Sequence, residues 1–101
     1  MSRTKEFGKE KILAAAVRVA ASKGYATMSR AAVAKAAGCS ETLPSVYFGP
    51  MRNLRIAVVR DAIAKKNLRI IGQAVAAKDH LTRGLSTEIK HAATIALSRA
   101  L

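Results

Sequence analysis

Side chains able to do covalent or acid–base chemistry are few in this 101-residue chain: six carboxylates, two histidines and one thiol. Glu88 and His91 stand three apart on a helical stretch, the half-motif from which metal sites in helix bundles are built. Such a site needs further carboxylates facing it, and none is supplied. Both are therefore read as surface residues, and no metal or cofactor is expected. Cys39 is the only cysteine and can form no intramolecular disulfide. It is read as a small hydrophobe in a reducing compartment, with thiol sensing as the minor alternative. His80 falls in a polar connection and suggests no chemistry. No nucleophile–base pair is recognisable, so an enzyme is not expected. The abundant chemistry is ionic. Lys and Arg number 18 against six Asp and Glu, a formal charge of +12 and an isoelectric point near 10.8. That balance points first to nucleic acid.

The elements that position these charges are helical. Alanine, the best helix former, contributes 21 residues, while aromatics make up only 4%. So small a core favours pairing with a second copy. Residues 1–8 are expected to form a basic arm carrying Arg3 and Lys5. From Lys9 to Lys23 the positions Ile12, Leu13, Ala16, Val17 and Ala20 recur at helical spacing, and Gly24 ends the helix. Ser29 is an N-cap for a second helix, Arg30–Ala37, and Met28 and Val33 flank it as a hydrophobic staple. Gly38 stops that helix. A third, short helix runs from about Ser40 to Tyr47. Pro50 then opens a long fourth helix reaching Gly72 or Ala77.

That fourth helix carries Ile56, Val59, Ile63 and Ile70 on one side. Leu54, Ala57, Val58 and Ala62 occupy an adjoining side. The first stripe is expected to be a dimer seam, with Asn67 beside it setting the register. Lys78–Gly84 is a polar connection, and Ser86 caps a fifth helix, Thr87–Leu101. Its Ile89, Ala93 and Ala96 are expected to join the dimer interface. The longest apolar run, Ile12–Val17, is far too short for a bilayer, and no signal-peptide core follows the N-terminus. No membrane partner and a cytoplasmic location are expected.

Two short helices joined at Gly38-Cys39-Ser40 form the pattern of a helix-turn-helix, whose second helix can lie in a major groove. Around it, in order and almost without gaps, stand Ile12–Ala16, Lys23-Gly24-Tyr25, Met28-Ser29-Arg30, Val33-Ala34, Ala37-Gly38-Cys39-Ser40, Tyr47-Phe48-Gly49, Leu54 and Ala57-Val58. Over roughly residues 9–60 the chain resembles the DNA-binding domain of the tetracycline-repressor (TetR) family. The resemblance implies an all-α fold: a three-helix helix-turn-helix head at 9–49, followed by one long and one shorter helix at 50–101 for dimerisation. It implies that Ser29 and Arg30 meet backbone phosphate. Ser40, Glu41, Thr42 and Ser45 would face the groove, Tyr47 would reach a phosphate, and Phe48 would be a core aromatic.

The sequence departs from the family pattern in several places. Pro44 lies inside the third helix, so that helix must begin near Thr42 or be distorted. Ser45 stands where an aromatic is usual. Met51 replaces the lysine that opens helix four, with Arg52 beside it as a substitute. Glu41 brings a negative charge toward DNA unless it accepts from a cytosine amine. About 40 residues follow the resembling stretch, too few for the family's effector domain, so a small-molecule effector is not expected. The expected function is a sequence-specific transcriptional regulator, a repressor acting as a homodimer on a palindromic operator. The alternatives are a protein-interaction module that modulates a partner, or an accessory protein binding DNA without regard to sequence.

Overall fold

The computed structural model describes the backbone of residues 3–100 and the side chains of residues 8–99. Six α-helices follow one another, with no strand among the described residues: α1 (Arg3–Lys23), α2 (Arg30–Ala37), α3 (Thr42–Phe48), α4 (Met51–Lys65), α5 (Leu68–Ala76) and α6 (Thr87–Ala100). A single 3-10 turn, His80–Thr82, lies in the connection before α6. The chain divides into two compact units, one ending at Val58 and the other beginning at Val59.

In the first unit α1 packs on α2 and α3. Ile12, Ala15, Ala16 and Ala20 of α1 are buried, as are Val33, Ala34 and Ala37 of α2, so alanine lets the helices approach closely. Gly24 ends α1 at φ 97°, its N–H donating to the Ala20 carbonyl at 2.8 Å. The arm expected over residues 1–8 is a correction: α1 begins at Arg3, so residues 3–8 are helical. Lys5, Glu6, Lys9 and Glu10 are all good helix formers and outweigh Gly8. Met1 and Ser2, and the side chains of Arg3 and Lys5, lie outside the described residues.

The ends of α2 follow from its flanking residues. Ser29 Oγ accepts from the Ala32 N–H at 3.1 Å, and the staple residues Met28 and Val33 are both buried. At the other end Gly38 takes φ 75°. Its N–H donates to the Lys35 carbonyl at 3.2 Å, and that of Cys39 to Ala34 at 3.0 Å. This is the Schellman pattern. Helix α4 starts at Met51, one residue after the expected Pro50, whose carbonyl accepts from Asn53 at 2.9 Å.

In the second unit the long fourth helix does not exist. It stops at Lys65, and α5 starts at Leu68. Lys66 adopts φ 55°, Lys66 N–H donates to Ile63 at 3.3 Å, and Asn67 N–H to Ala62 at 2.8 Å. A second Schellman closure, built here on a lysine, turns the chain. Asn67 then caps α5 by accepting from the Ile70 N–H at 3.4 Å. Asn67 is thus a helix cap and not a register residue in a seam. Lys78 repeats the device at φ 57° after α5. Glycine tolerates this conformation without the Cβ strain of ~1–2 kcal/mol, partly offset by its greater freedom when unfolded. Lys66→Gly is therefore expected to raise stability by about 0.5–1 kcal/mol. A thermal melt followed by circular dichroism checks it, and an unchanged or lower midpoint refutes it.

Helices α5 and α6 form the main contact of this unit. Ile70, Ile71, Gly72 and Ala74 of α5 and Ala93 of α6 are buried. Ser86 Oγ accepts from the Ile89 N–H at 3.2 Å and caps α6 as expected. Leu101, expected at the end of that helix, lies outside the described residues.

Candidate nucleic-acid interface

The first unit presents its chemistry through the ends of α2 and α4 and the outward face of α3. Arg30 occupies the first turn of α2, directly after the Ser29 cap. It is half-buried, and its Nε is fully covered without a hydrogen-bond acceptor. Helix α3 begins at Thr42, so Pro44 sits in the first turn, where its missing N–H would have had no intrahelical partner. Pro44 is buried and anchors the inner face. The proline therefore sets where the helix starts without breaking it.

Ser40, Glu41 and Thr42 are exposed at the start of α3, and Ser45 is half-buried one turn on. Leu43 N–H donates to the Ser40 carbonyl at 3.2 Å, closing the turn. Glu41 lies at the helix N-terminus, where a negative charge is favourable to the helix itself. That benefit to the helix is independent of any base contact. Tyr47 is half-buried, and a Cβ added at Gly8 would fall 2.7 Å from its hydroxyl oxygen. The phenol therefore rests on the α1 backbone. Phe48 is half-buried with the Lys9 ammonium 5.6 Å from its ring centre. Arg52 is exposed in the first turn of α4.

Between residues 11 and 60 eight Lys and Arg face one carboxylate, Glu41. Three of them, Arg18, Lys23 and Lys35, line an open cleft between α1 and α2. The Arg18 guanidinium donates to the Ala36 carbonyl at 3.2 Å and ties the end of α2 to α1. Two residues escaped the sequence reading. Val46 is 65% exposed on α3, although its four-residue spacing from Thr42 places it on the same face. Arg55 of α4 has a covered, unpartnered Nε like that of Arg30, and no sequence signal distinguished it.

The residues expected at a dimer interface scatter. Val59, Ile70 and Ala93 are completely buried within the chain, so they are core and correct the expected seam. The break at residues 66–67 removes the continuous helix on which that seam depended. Ile56 is half-buried in the first unit. Ile63, Ile89 and Ala96 are half-buried in the second, where Ile95 of α6 is 41% exposed. Glu88 and His91 are both exposed, and Cys39 is a half-buried free thiol. Among the described residues no group of three or more His, Cys, Asp or Glu could hold a metal. Among them, too, no helix is long and apolar enough to cross a membrane.

A short positioning helix, a Schellman turn and a second helix whose outward face exposes Thr42 and Val46, set in a cation-rich unit, define a helix-turn-helix DNA-binding module. Residues 12–58 match the family model described as bacterial regulatory proteins, tetR family. Residues 12–58 thus form a TetR-family DNA-binding domain, the domain type of a DNA-binding transcription regulator. Neither the curated proteins nor the solved structures contain a match to the chain.

Proposed function

We infer that the protein regulates transcription by reading a specific duplex sequence through α3, as a homodimer that represses from a two-fold symmetric operator. The observation that carries this reading is the outward face of α3, with Thr42 and Val46 exposed opposite the buried Pro44. Ser40, Glu41, Thr42 and Ser45 are assigned to the groove, and Ser29, Arg30, Tyr47 and Arg52 to the phosphates on either side. For the dimer, the half-exposed Ile63, Ile89 and Ala96 with Ile95 supply the apolar surface that remains after the core is filled. Affinity would come mainly from phosphate neutralisation and specificity from base edges.

The test is selection from a random duplex pool at moderate salt, followed by sequencing of what is retained. A two-fold symmetric motif is expected, with half-sites about one helical turn (~34 Å) apart. Binding to it should fall linearly as log salt rises, steeply enough for ~6–10 phosphate contacts. Retention without enrichment would instead identify a sequence-blind DNA binder. Absence of retention would leave the helix-turn-helix as a protein-binding surface.

A further inference from the structure

We propose that Val46 reads the C5-methyl group of a thymine in the major groove and is the main sequence-discriminating contact of α3. The inference rests on the reading of α3 as the groove-facing helix. Val46 is 65% exposed, and the only other large hydrophobic side chain so exposed among the described residues is Ile95, at 41%. Its position is central. In an α-helix each residue advances by about 100°, so residues four apart lie one above the other. Val46 therefore stands over Thr42 and next to Ser45, while buried Pro44 turns toward the unit's interior.

The chemistry of that face narrows what Val46 can meet. Thr42 and Ser45 carry hydroxyls that donate and accept, so they tolerate any base edge. Valine neither donates nor accepts. Set against a donor or acceptor of a base, its isopropyl group would strip water from a polar atom and return nothing. The largest apolar feature in the major groove is the methyl of thymine, beside which the C5–H edge of cytosine offers little surface. In the free protein the isopropyl group is left in water, and burying it against a methyl recovers the hydrophobic term.

The test uses the duplex selected by the wild-type protein and compares it with duplexes in which each thymine in turn is replaced by deoxyuridine. Uracil keeps every hydrogen-bonding edge of thymine and lacks only the methyl. Affinities are measured by fluorescence anisotropy for wild type and Val46→Ala, with circular dichroism confirming that the exposed substitution leaves the helices intact. At one thymine of each half-site, loss of the methyl should weaken wild type about fourfold, the effect of one buried methyl group. Val46→Ala should bind thymine and uracil duplexes alike at that position. If every thymine-to-uracil exchange costs both proteins the same, Val46 reads no methyl and the proposal falls, while the groove-facing assignment of α3 stands. If the pool yields no enriched sequence for wild type, the operator reading falls first and the proposal with it.

Discussion

Gly72→Ala should lower the stability of the second unit by about 1–3 kcal/mol, and Gly72→Val by more. The sign is diagnostic, because alanine in a helix interior normally stabilises by ~1 kcal/mol over glycine. Gly72 lies in the middle of α5 with its Cα turned onto α6. A Cβ there would collide with the Ala93 carbonyl oxygen, and it would lie 3.1 Å from the Ala93 carbonyl carbon and 3.0 Å from Leu97 Cβ. Two of these three atoms are backbone, so no rotamer change makes room and the two helices must separate. In a chain of this size 1 kcal/mol moves the melting midpoint by roughly 4–8 °C. Gly84 provides the control, since nothing lies within 4 Å of its added Cβ. A Gly72→Ala protein that melts with or above wild type would show that α5 and α6 are not in close contact.

The second large effect is on DNA. Arg30→Ala should weaken binding to every duplex about 10- to 100-fold, the range for loss of one charged hydrogen bond. The slope of log affinity against log salt should fall by about one. Arg30 follows the Ser29 cap on α2, and packing covers its Nε. A guanidinium whose stem is already held gives up little side-chain freedom when it meets a phosphate. Arg52, exposed at the start of α4, enters the contact with its full freedom, so Arg52→Ala should cost less. Measured by anisotropy across a salt series, a sequence-dependent loss would move Arg30 from the phosphates to a base. An unchanged slope would remove it from the interface altogether.

The sequence located the helix ends whose residue types have a single common use. Gly24 and Gly38 take the left-handed conformation, and Ser29 and Ser86 cap the helices that follow them. Pro44, which threatened the recognition helix, instead marked its beginning. The break between α4 and α5 was hidden for two physical reasons. A lysine at a left-handed position carries no compositional signal. Ile56, Val59, Ile63 and Ile70 also keep helical phase across the break, so periodicity reported one helix where the structure has two. The same stripe concealed that Val59 and Ile70 belong to the core, because spacing alone does not say which apolar face meets its own chain. Val46 was overlooked because the groove residues were carried over from the family's pattern, and spacing alone does not show that a valine on that helix is left in water.

With 18 cations against six carboxylates, the chain carries a formal excess of twelve positive charges. Crowded like charges destabilise any compact state through self-repulsion. A duplex that neutralises part of this charge acts on the folding equilibrium as well as the binding one. Occupancy at 100 times Kd adds ~2.7 kcal/mol to the folded form. The bound protein is then the more stable one, and the free protein opens more often. Resistance to a protease should therefore rise with the concentration of duplex, a readout of binding that needs no label on the DNA.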